Sequence, residues 1–317
     1  MSHSTPVAVI ALGGNAISSP REPDTITNQF RHTREALAGV VDLIERGYRV
    51  AITHGNGPQV GNALLRVELA KERTPILPLG IIVADTEGGM GYMIEQCLQN
   101  MLSKRGLDRD VVTIVSQVIV DPEDPALKNP TKYIGQFYTE EQAKNLAEAE
   151  GWSVKQDGAR GWRRVVGSPQ PLQILNGETI RHLVEQGKIV IAAGGGGIPV
   201  YREPNGWLEG VDAVIDKDRA SAVLARDINA QELFILTDAE FVSLNYGKPD
   251  QRDLTKVTLA EIETYYQQGH FPPGSMGPKI EAAMSFLRTG GRRVIICSLP
   301  KFMESFDGNS GTTITPQ

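Results

Sequence analysis

The sequence is poor in cysteine and has no long apolar run. Its 317 residues include two cysteines, Cys97 and Cys297, which lie far apart in apolar segments. Such a pair makes neither a disulfide framework nor a metal-binding spacing, which indicates a reducing compartment. The apolar run at 7–12 has no basic region before it, so it predicts neither a signal peptide nor an anchor. Because no run approaches membrane-spanning length, we expect a soluble cytoplasmic protein without a membrane partner.

The sequence also lacks a concentration of positive charge. Lysine and arginine total 32 against 38 acidic residues, giving a formal net charge of -6, and the basic residues are scattered along the chain. A nucleic-acid-binding domain usually carries a basic face. The composition therefore argues against a nucleic-acid partner.

Several familiar nucleotide and catalytic motifs are missing. The P-loop pattern G-x-x-x-x-G-K-[ST] does not occur in the sequence. Gly55, Gly57 and Gly61 resemble a dinucleotide fingerprint, but one residue too many precedes the last glycine, which disfavours a nicotinamide site. No serine or cysteine stands in a nucleophile elbow, and His54 is the one histidine that follows a predicted strand. The pattern therefore disfavours hydride transfer and catalysis by a nucleophile–base pair.

An alternation of buried strands and helices is present instead. Short apolar runs predict strands at 7–12, 48–53, 111–120, 189–193, 213–215, 233–236 and 293–298. Helical spacing predicts helices at 29–46, 59–71, 88–102, 140–150, 219–225, 258–267 and 280–288. This order predicts an α/β fold with three layers, in which helices cover both faces of a mostly parallel central sheet. The helix at 88–102 is mostly apolar, so we expect it in the core or at a subunit contact.

Residues 121–171 differ in composition from the rest of the chain. They carry five prolines, a charged helix and two tryptophans. We interpret the segment as a protruding lobe inserted into a single domain that spans residues 1–317. Lys132 lies near the start of this lobe.

The stretch 189–218 has the features of a ligand site. Its strand is followed by four glycines at 194–197, whose backbone can bend freely and approach a ligand closely. After a turn at 204–206 and a second predicted strand come Asp216, Lys217 and Asp218, at the start of a predicted helix. A charged strand–helix junction beside a glycine loop suits an anionic ligand, although an ordinary surface turn with solvated charges has the same pattern.

The segments that follow the predicted strands should gather at one cleft. Parallel strands place their carboxyl ends at one edge of the sheet, where ligands bind. The segments concerned are 13–15, 55–57, 194–197, 216–218 and 238–240. Glycine amides combined with lysines suit phosphoryl transfer, in which positioning and charge neutralisation do most of the work. Lys279 supports this, because it lies in the first turn of a predicted helix, where the macrodipole disfavours a cation by about 0.3–1 kcal/mol unless an anion binds there.

Seven segments then lead to a known family. They are ALGGNA (11–16), THGNGPQVGN (53–62), NPTK (129–132), GGGGIPV (194–200), AVIDKD (213–218), NYGKP (245–249) and GSMGPK (274–279). In this order, and over nearly the whole chain, they resemble the carbamate kinases, which have the amino-acid-kinase fold. The resemblance implies reversible phosphoryl transfer, in which ATP and carbamate give ADP and carbamoyl phosphate. It also implies that the reaction runs toward ATP, at the end of arginine fermentation.

The resemblance also implies a role for individual residues of this chain. The catalytic residues implied are Lys132, Lys217, Asp218 and Lys279. The substrate contacts implied are Gly13, Gly14, Asn15, Gly55, Asn56 and Gly57. The nucleotide contacts implied are Gly195, Gly196, Lys217, Asn245, Tyr246, Lys248, Pro249, Met276 and Lys279. Mg²⁺ would enter with ATP or ADP, held by phosphates and water rather than by protein ligands, and the protein would be a homodimer.

The chain departs from the family pattern at three positions. Tyr133 and Gln136 replace two prolines that usually follow the lobe lysine, which bears on the rigidity of the lobe as a lid. Gly277 stands where family members often have an apolar residue, which bears on the turn that presents Lys279. Two alternatives stay open: a kinase of the same fold that acts on another small carboxylate, such as acetylglutamate, and a non-catalytic nucleotide sensor. The lobe lysine, together with Ala11 in place of a strand lysine, favours a carbamate kinase over the first.

Overall fold

The computed structural model describes residues 5–14, 17–18 and 22–317. Its strands, numbered along the chain, are β1 (Val7–Leu12), β2 (Arg49–His54), β3 (Val111–Thr113), β4 (Gln117–Ile119), β5 (Lys132–Tyr138), β6 (Ser153–Gln156), β7 (Trp162–Val166), β8 (Gln173–Ile174), β9 (Ile189–Ile191), β10 (Ile198–Arg202), β11 (Leu208–Gly210), β12 (Glu232–Thr237), β13 (Val242–Leu244), β14 (Arg252–Leu254), β15 (Lys256–Thr258), β16 (Arg293–Ser298) and β17 (Thr312–Thr315). Its helices are α1 (Ile26–Glu45), α2 (Gly57–Ala70), α3 (Leu79–Lys104), α4 (Pro125–Lys128), α5 (Glu140–Glu150), α6 (Gly177–Glu185), α7 (Lys217–Asp227), α8 (Leu259–Gln267), α9 (Met276–Arg288) and α10 (Phe302–Phe306).

The main sheet has eight strands in the order β15-β17-β16-β12-β1-β2-β9-β3. The six strands from β16 to β3 run parallel to one another. Strand β17 runs antiparallel to β16, and β15 runs parallel to β17. The sheet is therefore mostly parallel, and its parallel strands end at a common edge.

The central strand β1 shows why both faces of the sheet are covered. All six of its residues are buried. Alternate residues point to opposite faces: Val9 lies in a core cluster with residues of α7 and α9, whereas Ile10 lies in a second cluster with residues of α1 and α3. A strand that contributes to two cores must be apolar throughout. The three-layer α/β prediction is confirmed.

A smaller sheet forms within the segment predicted to protrude. Strands β5, β7 and β6 pair antiparallel in that order, beside α5. Strand β5 packs on α2, where the Tyr138 hydroxyl donates to Glu68 Oε2 at 3.2 Å. Lys71, the residue that follows α2, also pairs with Glu150 of α5 at 2.6 Å. These contacts hold the small sheet beside α2, whose first turn faces the carboxyl edge of the main sheet.

Three of the differences from the prediction concern the sheets. The apolar run 111–120 forms two strands in different sheets, because the chain leaves the main sheet after β3 and enters a four-stranded sheet at β4. Residues 213–215 do not form a strand: Ala213 makes one isolated bridge to Gly167, and Val214 and Ile215 are buried by packing instead. The loop predicted at 308–313 runs into β17, whose ladder with β16 starts at Thr312.

Both cysteines are buried and unpaired. Cys97 lies on α3 and Cys297 on β16, at 2% and 0% exposure. Burial raises the pKa of both thiols, that of Cys297 to about 11. Among the described residues, no helix is both long and apolar enough to cross a membrane.

Candidate active site

The loops that follow neighbouring strands meet at the carboxyl edge of the main sheet. Gly14 follows β1, Gly55 follows β2 and Gly194 follows β9, and these strands are adjacent in the sheet. A Cβ atom on Gly55 would lie 2.9 Å from the Gly14 nitrogen, so the first two loops touch and a side chain would force them apart. The expected gathering of these loops is present. Asn15 lies outside the described residues.

Three helices begin at the same place. Gly57 starts α2, Lys217 starts α7 and Met276 starts α9. Each of these first residues lines a cavity at the edge of the sheet. Helix N-termini carry unpaired N–H groups and a partial positive charge, so together they favour an anion.

A buried carboxylate joins two of the predicted catalytic lysines. Asp218 Oδ1 accepts from the Lys217 ammonium and Oδ2 accepts from the Lys279 ammonium, each at 2.8 Å. The side chains of Lys217, Lys279 and Asp218 are 12%, 16% and 4% exposed. Both cations are therefore fixed side by side while their remaining N–H groups can reach a ligand.

The charges of this cluster depend on one another. Burial alone would raise the pKa of Asp218, but the two lysines outweigh burial and hold it below its ordinary value. Burial lowers the pKa of Lys217, whereas Asp218 outweighs burial at Lys279 and raises the pKa of that lysine. Asp218 is therefore an anion that keeps two cations close together.

The small sheet contributes a third lysine, Lys132, at the start of β5. The Lys132 ammonium donates to Asp216 Oδ2 at 2.7 Å. Asp216 also caps α7, since its Oδ1 accepts from the Asp218 nitrogen at 3.0 Å. Burial alone would raise the pKa of Asp216, but Lys132 contributes most to holding it below its ordinary value. The side chain of Lys132 is 34% exposed, so it has more freedom than the other two lysines.

Two cavities border this cluster. The first, of about 460 Å³, is lined by Gly13, Gly14, Lys217, Thr237, Asp238, Ala239, Phe241, Ser243, Tyr246, Phe271, Pro272, Ser275, Met276 and Lys279. The second, of about 410 Å³, is lined by Gly14, Gly55, Asn56, Gly57, Pro58, Val60, Lys132, Tyr133, Ile134, Gly195, Val214, Ile215, Asp216, Lys217, Asp218, Gly274, Ser275, Pro278 and Lys279. The residues common to both are Gly14, Lys217, Ser275 and Lys279. Two of the three predicted catalytic lysines, Lys217 and Lys279, therefore stand at the boundary between two ligand-sized spaces.

The first cavity has the character of a nucleotide pocket. Phe241, Tyr246, Phe271 and Met276 supply apolar surface, and Lys217 and Lys279 belong to the same wall. A pocket with both apolar surface and cations suits a ligand that has a base and phosphates. The other predicted nucleotide contacts of the 245–249 turn, Asn245, Lys248 and Pro249, are close to Tyr246 in the chain but do not line the cavity.

The four-glycine run faces the second cavity rather than the first. Gly195 lines the second cavity, and Gly196 lines neither. A Cβ atom on Gly195 would lie 2.0 Å from Asn56 Nδ2, and one on Gly196 would lie 2.4 Å from the Ile215 carbonyl oxygen. Both residues have positive φ, of 65° and 101°. These glycines let the loop pack directly against Asn56 and the segment before α7.

The positions where this chain departs from the family pattern have identifiable contacts. The Tyr133 hydroxyl donates to the Gln156 carbonyl at 2.8 Å, and Gln136 Nε2 donates to the Tyr138 hydroxyl at 3.2 Å. Both hydrogen bonds lie within the small sheet, so side-chain hydrogen bonds stabilise the sheet at Tyr133 and Gln136. A Cβ atom on Gly277 would lie 2.9 Å from the Pro272 carbonyl oxygen. In this fold, glycine lets the first turn of α9 pack against the preceding loop.

His54 has no acid–base role in this arrangement. It is 1% exposed, and burial lowers its pKa to about 4. Its ring packs against Gly194, where a Cβ atom would lie 2.3 Å from Nε2. A neutral buried imidazole in such contact supports the loop.

Two residues behind the second cavity were missed by the sequence analysis. Thr86 and Glu87 lie on α3. The sequence analysis predicted that this helix starts only at residue 88 and expected it in the core or at a subunit contact. Asn56 Nδ2 donates to the Thr86 hydroxyl at 2.9 Å. The Ser116 nitrogen donates to Glu87 Oε2 at 2.8 Å, and the Ser116 hydroxyl accepts from the Ala193 nitrogen. The sequence does contain a signal for these two residues, because they are polar residues inside a mostly apolar helix. A buried polar group needs a hydrogen-bond partner.

Glu87 should make the stability of the fold depend on pH. Burial raises its pKa from 4.5 to about 8, so it is neutral in the folded chain near pH 7 but ionised in the unfolded chain. Its contribution to stability is complete below the unfolded pKa and is lost as the pH rises toward the folded pKa, by up to about 1.4 kcal/mol per pH unit. Glu87→Gln should flatten this fall in the free energy of unfolding, measured by urea denaturation at several pH values. The exposed Glu185→Gln on α6 is the control, and equal slopes for wild type and Glu87→Gln would contradict the assignment.

The described residues do not offer a protein metal cage. No group of three or more His, Cys, Asp or Glu side chains among them is placed to hold a metal ion. Two carboxylates that line the second cavity, Asp216 and Asp218, accept hydrogen bonds from lysines. A divalent ion that prefers oxygen ligands and retains water suits delivery on the phosphates of a nucleotide.

Comparison with known proteins identifies the family. Residues 6–298 match the model of the amino acid kinase family. The chain is 50% identical to the carbamate kinase of Pyrococcus horikoshii over 310 residues, which cover 97% of this chain and 98% of that one. The chain belongs to the carbamate kinase family. Carbamate kinase of Clostridium perfringens is 46% identical over 96% of this chain and 98% of its own. Carbamate kinase from Giardia lamblia, solved with AMP-PNP bound, superimposes with a TM-score of 0.92 at 41% identity, covering 98% of this chain and 99% of that one.

Proposed function

We propose that this protein transfers a phosphoryl group reversibly between ATP and carbamate, forming ADP and carbamoyl phosphate. One observation carries the proposal: Lys217 and Lys279 form part of the wall of both cavities. A nucleotide in the first cavity and carbamoyl phosphate in the second would present their phosphates to the same two ammonium groups. Membership of the carbamate kinase family supplies the identity of the small substrate.

The transfer is direct. The bond between phosphorus and the carbamate oxygen breaks while a bond forms to a terminal oxygen of the β-phosphate of ADP, and carbamate leaves. Among the described residues that line the two cavities there is no cysteine or histidine, which agrees with a route that has no phosphoenzyme. Lys217 and Lys279 stabilise charge on the transferring group, and Asp218 fixes their spacing. Gly13, Gly14 and Asn15 are the proposed contacts on the transferring phosphate.

Lys132 completes the positive field from the side of the lobe. It lines the second cavity and is tied to Asp216 at the start of α7. We assign it to the phosphate of carbamoyl phosphate, which would then compete with Asp216 for the ammonium. Gly55, Asn56 and Gly57, which line that cavity, are the proposed contacts of the carbamate group.

The nucleotide would enter as its Mg²⁺ complex, with the ion neutralising phosphate charge. Tyr246 and Met276 are the proposed contacts of the nucleotide base and ribose, with Asn245, Lys248 and Pro249 shaping the turn beside them. The proposal includes a cytoplasmic homodimer that works in the ATP-forming direction in arginine catabolism. The apolar part of α3 is the candidate contact, since Tyr92 on that helix is 60% exposed.

The experiment is ATP formation from carbamoyl phosphate, ADP and Mg²⁺ in a coupled assay, with wild type and Lys279→Ala compared. Removing one contact to the transferring charge should lower kcat by about 10²–10³. Rapid turnover that collapses in Lys279→Ala supports both the reaction and the site.

Two other outcomes point elsewhere. If wild type binds ADP but does not turn over carbamoyl phosphate, the protein is a sensor or acts on another carboxylate. Acetylglutamate with ATP is then the next substrate pair to assay. If Lys279→Ala keeps wild-type turnover, the reaction stands and the assignment of Lys279 fails.

A further inference from the structure

Asn56 occupies a helix N-cap position but does not use its side chain as a cap. Asn56 precedes α2, and its side chain accepts no hydrogen bond from that helix. An asparagine at this position normally accepts from the first turn through its side-chain oxygen. Here the side chain does not bond the first turn of α2. Asn56 lines the second cavity, and the residue is 4% exposed. Some other contact therefore determines its direction.

Thr86 supplies that contact and determines which end of the amide it faces. The Thr86 hydroxyl donates its single proton to the Val83 carbonyl oxygen at 2.9 Å. It can then only accept from Asn56, so the group that faces it is the NH₂ end of the amide, at 2.9 Å. The orientation of the amide follows from this network.

The carbonyl end of the same amide is left for a ligand. Within the described residues, no hydrogen bond reaches Asn56 Oδ1, and the atom is not sealed off in the protein interior. Gly195 covers one face of the amide, where a Cβ atom would lie 2.3 Å from Asn56 Cγ. Held between Thr86 and Gly195, the amide cannot turn freely, and it presents a hydrogen-bond acceptor to the second cavity.

We propose that Thr86 is a positioning residue for substrate specificity. By holding the NH₂ end of Asn56, it directs Oδ1 toward the amino group of carbamate or carbamoyl phosphate, which must donate a hydrogen bond. An acyl phosphate with a methyl group in place of the amino group would leave Oδ1 unpaired. The inference rests on the proposed function, because it concerns the substrate of the same site.

The test compares carbamoyl phosphate with acetyl phosphate as phosphoryl donors to Mg²⁺-ADP. Thr86→Val keeps the shape but removes the acceptor, so the NH₂ end of Asn56 loses its partner and can turn into the cavity. The kcat/KM for carbamoyl phosphate should fall about 10- to 100-fold, because the substrate amino group then meets a donor. The kcat/KM for acetyl phosphate should stay close to the wild-type value, so the ratio of the two drops about 10- to 100-fold.

Two variants serve as controls. Thr86→Ser keeps the hydroxyl and should retain most of the wild-type ratio. Thr33→Val on α1 removes another buried hydroxyl that bonds a helix carbonyl, that of Gln29 at 2.7 Å, away from both cavities, and should leave the ratio unchanged. If Thr86→Val does not fold, Thr86→Cys carries the same comparison, because a thiol is a weaker acceptor.

The outcomes separate the two levels of the argument. Wild type without turnover of carbamoyl phosphate overturns the proposed function. An active wild type with an unchanged ratio in Thr86→Val, or in Thr86→Cys if that variant replaces it, overturns the inference about Thr86 and leaves the proposed function intact.

Discussion

Lys217→Met should lower kcat for ATP formation by about 10²–10³ while the fold remains intact. Lys217 borders both cavities and is held by Asp218, so its ammonium is fixed where charge develops during transfer. Methionine keeps much of the side-chain volume but has no charge. Because the interaction is strongest in the transition state, kcat and kcat/KM should fall together.

The matched control for this variant is Lys188→Met. Lys188 immediately precedes β9 and pairs with Asp110, so it lies at the opposite edge of the main sheet from the cavities. It should keep wild-type kinetics. Steady-state measurements with carbamoyl phosphate and ADP decide the matter, and near-full turnover in Lys217→Met would remove Lys217 from the mechanism.

Gly195→Ala should lower kcat/KM for carbamoyl phosphate by about 10² or more, since a displacement of about 1 Å at a reacting site costs that much. The new Cβ atom would lie 2.0 Å from Asn56 Nδ2, at a residue whose φ is 65°. Either Asn56 or the glycine loop must move. Because Gly195 borders only the second cavity, the affinity for ADP should change little.

The contrast between the two ligands makes this variant informative. Calorimetric titration with Mg²⁺-ADP should give a dissociation constant close to that of wild type, while turnover collapses. Gly210→Ala on β11 is the control, because a Cβ atom there meets nothing within 4 Å and its φ lies outside the left-handed region. Wild-type turnover in Gly195→Ala would show that the position of Asn56 does not matter for the substrate.

The sequence predicts the main sheet well where a strand contributes residues to both hydrophobic cores. The run 7–12 is apolar throughout, and the structure places a strand at those residues. Prediction failed where burial came from packing rather than from strand pairing. Val214 and Ile215 are as apolar as strand residues, but each packs in a hydrophobic cluster, Val214 in the one that contains Val60, without joining a ladder. A run of apolar residues does not reveal which backbone groups will be paired.

The charged part of the site could be predicted residue by residue, but its internal geometry could not. Lys132 and Asp216 are 84 positions apart, and nothing in their spacing indicates that they pair. The contact between Thr86 and Asn56 was hidden for a different reason. Thr86 lies on a helix whose apolar content indicates core, and its function depends on a neighbour that only the folded chain brings near. Contacts between residues so far apart in the sequence are determined by the topology of the fold.

Both cysteine thiols of the chain lie in the protein interior, and this affects how the folded protein reacts with thiol reagents. The thiolate is the reactive form of cysteine, and burial keeps both thiols protonated as well as out of reach. Oxidants and alkylating agents that attack thiols would find no target on the folded surface, and would modify the protein only after local or global opening. An electrophile designed against an exposed cysteine in a related enzyme should therefore spare this one.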